Sequence, residues 1–82
     1  SYKGDWINGK KHGNGTMIWI DGSRYEGEWI LDEFHGIGSY YYNNGDKYKG
    51  AFKNGKRHGF GVSTLTDGGK YSGEWKNDKR YR

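Results

Sequence analysis

Cysteine and proline are both missing from this 82-residue chain, and apolar runs are short. Without cysteine there is no disulfide framework, no thiolate metal site and no Cys nucleophile. The lack of disulfides suits a cytoplasmic setting. Without proline there are no polyproline linkers, so the 16 glycines mark tight turns. Met17-Ile18-Trp19-Ile20 is among the longest apolar runs, far below the roughly 18 residues of a membrane-spanning helix. No signal-peptide or lipidation motif is visible, and the start at Ser1 suggests a segment of a longer protein.

Aromatic residues are plentiful, at 18%. A mean hydropathy of -1.25 would by itself suggest disorder. Tyrosine and tryptophan argue otherwise, because each buries a large ring while keeping a polar tip. The net charge of +4 allows an acidic partner but is small for nucleic-acid binding, and none is expected.

Internal repetition fixes the fold class. Tyr2, Tyr25, Tyr48 and Tyr71 recur every 23 residues. Gly4, Gly27, Gly50 and Gly73 follow two residues later, then Trp6, Trp29, Phe52 and Trp75. His12, His35 and His58 keep the same phase, and Asp21-Gly22, Asn44-Gly45 and Asp67-Gly68 close each unit. Tyr-x-Gly-x-Trp alternates with period two, which places these residues on one face of a strand. A second strand is expected over Gly15 to Ile20, Gly38 to Asn43 and Gly61 to Thr66, with the Asp-Gly or Asn-Gly as a hairpin turn. The stretch from Ile7 to Asn14 is expected to be a longer loop.

These units predict an all-β, single-layer antiparallel meander of about seven strands, elongated, curled and twisted. The repeats run over about 2–24, 25–47 and 48–70, with a partial unit at 71–82. The hairpin register has two solutions. A two-residue turn puts Ile18, Tyr41 and Thr64 opposite the next tyrosine. A three-residue turn with a glycine bulge puts Met17, Tyr40 and Ser63 there and brings Trp19, Tyr42 and Leu65 onto the Tyr/Gly/Trp face. The second is favoured because it gathers more apolar area on one side.

The run from Tyr48 through Lys-Gly-Ala-Phe-Lys-Asn-Gly-Lys-Arg-His-Gly-Phe-Gly61 to Asp67-Gly68 resembles the MORN (membrane occupation and recognition nexus) repeat. The resemblance covers essentially the whole chain. Departures are Asp32-Glu33-Phe34 in place of Gly-Lys-Lys or Gly-Lys-Arg, Phe52 in place of Trp, and Tyr81-Arg82 in place of His-Gly. The resemblance implies cytoskeletal, ciliary or membrane-associated assemblies, phospholipid binding, or an appendage beside an enzyme domain.

Within the repeat, catalytic and metal chemistry find no footing. Equivalent histidines lie two strands apart, about 9–10 Å, too far for one zinc ion. They are read as structural, bonding loop backbone beside a glycine, and no cofactor is expected. The Gly-x-Gly at Gly13, Gly36 and Gly59 precedes strands rather than helices, so it is no phosphate cradle. Glu26, Glu28 and Glu74 are read as cross-strand partners of Lys and Arg. No nucleophile–base–acid trio stands out, so no enzyme activity is expected.

What remains is a binding module. An aromatic sheet face must be covered by something, and Met17, Trp19, Tyr40, Tyr42 and Leu65 are the candidate groove for an extended or helical segment of a protein partner. Lys10, Lys11, Lys56, Arg57, Lys79 and Arg80 fall at equivalent loop positions and are candidates for anionic membrane lipid. Open edge strands allow a homodimer.

Overall fold

The structure, a computed structural model, describes residues 1–80. The departure at Tyr81-Arg82 lies outside the described residues. Eight antiparallel strands form one sheet in chain order, with no helix among the described residues. They are β1 (Tyr2–Ile7), β2 (Lys10–Ile18), β3 (Arg24–Ile30), β4 (Glu33–Tyr41), β5 (Lys47–Lys53), β6 (Lys56–Thr64), β7 (Lys70–Lys76) and the two-residue β8 (Lys79–Arg80). This is the expected single-layer meander, with the short β8 added to the seven strands. It measures 39 × 24 × 14 Å.

Two kinds of hairpin alternate. Between β2 and β3, Trp19 N–H bonds the Ser23 carbonyl and Gly22 N–H bonds the Trp19 carbonyl. Gly22, Gly45 and Gly68 adopt φ of 96°, 100° and 95°, as a three-residue turn closed by a glycine bulge requires. Met17 therefore faces Tyr25, Tyr40 faces Tyr48 and Ser63 faces Tyr71, the favoured register. The expected long loop from Ile7 to Asn14 is not there. Asn8 (φ 48°) and Gly9 (φ 78°) make a two-residue turn, and Lys10 already belongs to β2. Asn-Gly suits this turn because both central residues need positive φ. The second strands accordingly start at Lys10, Glu33 and Lys56, and end at Ile18, Tyr41 and Thr64.

Glycines cross the sheet in one unbroken row, each paired with the next: Gly4, Gly15, Gly27, Gly38, Gly50, Gly61 and Gly73. Tyrosine rings lie down on this row. A Cβ on Gly38 would fall within the Tyr25 ring and one on Gly61 within the Tyr48 ring. The hydroxyls of Tyr25 and Tyr48 reach past the row to donate to the carbonyls of Glu28 and Ala51, each at 2.8 Å.

The core is a chain of edge-to-face rings. Trp6, Tyr2, Trp29, Tyr25, Phe52, Tyr48, Trp75 and Tyr71 touch in that order, with centroids 4.8–5.5 Å apart. Such pairs contribute about 0.5–1.5 kcal/mol each beyond area burial. Each Trp or Phe is buried by the preceding repeat: Trp29 is 2% exposed, whereas Trp6, which no earlier described repeat covers, is 56% exposed. The Trp29 indole N–H also donates to the Gly15 carbonyl, at 3.1 Å. One repeat thus completes the core of the next, as in solenoids generally.

Candidate functional site

The aromatic side of the sheet carries a second tier of rings beside the core. Trp19 lies 5.5 Å from Tyr40 and 6.0 Å from Phe34, and Tyr40 lies 4.7 Å from Tyr42. Met17, Trp19, Tyr40 and Tyr42 are half-buried and pack on the core. Burial raises the Tyr42 phenol above its ordinary value. Tyr40 and Tyr42, with Phe34, Phe52, Gly55, Arg57 and Asp78, bound a recess of about 220 Å³. Met17, Trp19 and Leu65 are not part of it, and Met17 and Trp19 line neither this recess nor its neighbour. Leu65 lines a neighbouring recess of about 470 Å³ with Arg57, Lys70, Tyr71, Trp75, Asp78 and Arg80. The candidate groove is therefore two recesses that share the Arg57–Asp78 ion pair, whose Nε–Oδ1 distance is 3.2 Å.

The basic row does not survive as a single edge. Its residues are in strands, so alternation sends neighbours to opposite faces. Lys11, Arg57 and Arg80 lie over the aromatic side. Lys11 Nζ is 5.5 Å from the Trp29 ring centre, Arg57 is 4.4 Å from Trp75, and Arg80 is 5.0 Å from Tyr71. Lys10 and Lys56 are exposed and take the opposite face, while exposed Lys79 borders the recess that Leu65 lines. Lys11 is also tied to Asp32, which accepts its Nζ at 3.3 Å and its backbone N–H at 2.7 Å. That backbone bond is the main cause holding the Asp32 carboxyl below the usual range.

These contacts account for the departures within the repeat. Position 11 is occupied in successive units by Lys11, Phe34 and Arg57. Lys11 meets Trp29 and Asp32 of the next unit, and Arg57 meets Trp75 and Asp78. Phe34 instead meets Phe52, at 5.5 Å, and Gly55, whose N–H bonds the Phe34 carbonyl. A cation calls for a tryptophan face and a carboxylate; an apolar ring calls for neither. Phe34 stacks on Tyr25 at 4.1 Å instead. Phe34, Gly55 and Asp78 are site residues that sequence reasoning passed over. The available signal was that Phe34, Phe52 and Gly55 all differ from their ionic counterparts together.

The remaining sequence-derived assignments fall as follows. His12 Nδ1 accepts the Leu31 N–H at 3.4 Å, from turn backbone, while buried His58 Nδ1 has no hydrogen-bond partner. Among the described residues, no group of three His, Asp or Glu converges in a metal-binding arrangement. Glu26 pairs with Arg24 of its own strand, at 3.2 Å, and not across strands. Glu28 accepts the Ile37 N–H at 3.4 Å, filling the space beside Gly36. Its oxygen is used by backbone because Gly36 leaves that side of the sheet open.

No curated protein matches the chain. The family model of the MORN repeat matches residues 2–24, 25–47, 48–70 and 71–80 as four consecutive units. Its repeats are non-catalytic modules, generally for interaction with proteins or membranes. Matched from residue 2 to residue 80, with two strands in every unit, the chain belongs to the MORN repeat family.

Proposed function

We propose that this chain is a scaffolding module that holds an extended or helical segment of a protein partner along its aromatic face, within a cytoskeletal, ciliary or membrane-associated assembly. One observation carries the reading. The recess bounded by Phe34, Tyr40, Tyr42 and Phe52 lies on the apolar side of a single sheet, with no second layer over it among the described residues. Aromatic side chains with polar tips, half-buried and already positioned, are the residues that concentrate binding energy at protein interfaces. They lose little conformational freedom when a partner arrives.

The test is proximity labelling and co-precipitation from the native cell. Tyr42→Ser should reduce partner recovery at least tenfold while circular dichroism remains that of the folded sheet. Ile37→Ser, on an exposed site of the opposite face, should leave recovery unchanged. Equal recovery with Tyr42→Ser would overturn the reading.

Anionic lipid is a second reading, and a different set of lysines favours it. Lys47, Lys49, Lys53 and Lys56 are exposed on strands β5 and β6, and by alternation they share the face opposite the rings. Each could add about 1 kcal/mol near an anionic membrane. Flotation with anionic vesicles should then be salt-sensitive and weaken when Lys49, Lys53 and Lys56 become Gln. Absence of vesicle binding at low salt removes this reading.

A further inference from the structure

We infer that the segment held on the aromatic face is amphipathic: it carries an apolar anchor for the Phe34/Tyr40/Tyr42/Phe52 recess and acidic residues that lie toward β7 and β8. The inference rests on the protein-binding reading above and names the chemistry of the partner.

Charge is distributed unequally along the chain. Residues 1–46 carry four Lys and Arg against seven Asp and Glu; residues 47–82 carry ten against three. The change of sign falls at the β4–β5 connection, the middle of the sheet. On the aromatic face the smaller recess straddles this boundary, and the larger one lies wholly within the basic part. The smaller one is walled by four rings, with Arg57 and Asp78 on one side. The larger one has Tyr71, Trp75 and Leu65 among its walls, with Arg57, Lys70, Lys79 and Arg80 around it and Asp78 as the one carboxylate. Arg57 is engaged by Asp78 through its Nε, and its Nη2 donates to the Asp78 carbonyl at 2.9 Å. Lys70, Lys79 and Arg80 leave an excess of cations beside an apolar floor. A carboxylate placed there meets opposite charge next to low-dielectric surface, where the attraction is stronger than in water.

Spacing favours a peptide over a lipid. Corresponding points of successive repeats are about 9–10 Å apart. That is the reach of residues i and i+3 in an extended chain, about 10 Å, or i and i+7 on a helix, about 10.5 Å. The ring-walled recess, at about 220 Å³, lies below the usual size of a small-molecule pocket, about 300–1,000 Å³. It accepts one large side chain, not a pair of acyl chains.

Selection of random peptides displayed on phage against the immobilised 82-residue chain tests this directly. Selected peptides should carry a large apolar residue with Asp or Glu three positions away, or seven in helical peptides. A synthetic peptide of the selected sequence, followed by fluorescence anisotropy, should lose affinity at least tenfold with the double variant Lys70→Glu, Arg80→Glu. Both residues are exposed, and circular dichroism should match the unmodified chain. Tyr42→Ser should abolish binding of the same peptide. Selected peptides without acidic residues, or affinity unmoved by the double charge reversal, overturn the acidic requirement while the groove stands. Peptides whose binding ignores Tyr42→Ser overturn both. Binding to phosphatidylserine vesicles with no peptide selected also overturns both and points to a lipid surface.

Discussion

Two kinds of joint hold neighbouring repeats together on the aromatic face, and they differ in what they leave free. At the ionic joints a long cation lies across tryptophan and ends on a carboxylate: Lys11 with Trp29 and Asp32, Arg57 with Trp75 and Asp78. The side chain that spans the gap is itself charged and tied down. At the apolar joint Phe34 stacks on Tyr25 and meets Phe52 edge-on, while its carbonyl accepts the Gly55 N–H as the Lys11 and Arg57 carbonyls accept those of Asp32 and Asp78. Among the described residues no cation spans that gap, and the recess beside it is walled mainly by rings. One repeat scaffold thus yields a recess bordered by cations or one walled by rings, according to three residues in two consecutive units.

Breaking the apolar joint should have the largest effect on stability. Phe34→Ala removes a stacked ring and contacts to Trp29, Tyr40 and Phe52, and should cost about 2–4 kcal/mol in chemical denaturation. Breaking an ionic joint should cost much less, because its members are partly exposed and screened. Lys11→Ala is expected to lower the denaturation midpoint by less than half the shift of Phe34→Ala. A larger effect from Lys11 would reverse the ranking.

The tyrosines that serve both joints give an alkaline signature. Burial raises the phenols of Tyr25 and Tyr48, Tyr48 to about 12. An unfolded tyrosine ionises near 10. The neutral form is therefore favoured in the folded sheet, and its stabilising contribution is complete below about pH 10. It is lost as pH rises through the folded value of about 12. Tyrosinate absorbance should show these two ionising together with loss of the sheet signal. Ionisation near pH 10 with the sheet intact would contradict their burial. Tyr48→Phe, which deletes the bond to the Ala51 carbonyl, should cost about 1 kcal/mol.

The smallest change is a gain. Leu31 holds φ 47° in the turn where Asn8, Asn54 and Asn77 stand in the other repeats. Leucine pays a steric penalty in this region that asparagine largely avoids. Leu31→Asn should stabilise by about 0.5–1 kcal/mol. A loss would mean that the Leu31 side chain contributes packing at this joint.

The fold was legible in the sequence because turn chemistry and period two coincide in every unit. Asp21-Gly22 and its counterparts fixed the register that places Met17 against Tyr25. The turn at Asn8-Gly9 was equally legible by its residues but was hidden by the glycines after it. Gly13, with φ 79°, sits inside β2 where it passes Asp5, so a glycine-rich stretch that suggested a loop is strand. The split of the basic row followed from the same error, since alternation applies only once Lys10 and Lys11 are in a strand. The joints were legible only as a concerted departure of Phe34, Phe52 and Gly55 from the other units. Phe34 meets Phe52 and Gly55 only when three strands are in register, and each departure alone resembles a tolerated substitution.

Converting the apolar joint into an ionic one tests the account most directly. Phe34→Lys with Gly55→Asp reproduces the Lys11–Asp32 arrangement. A Cβ at Gly55 meets nothing within 4 Å, and its φ of 81° resembles the 73° and 71° at which Asp32 and Asp78 already stand. The double variant should remain folded by circular dichroism and lose affinity for a phage-selected peptide at least tenfold. A folded double variant that binds the peptide as tightly as the unmodified chain would contradict the claim that the recess at the apolar joint is where the partner binds.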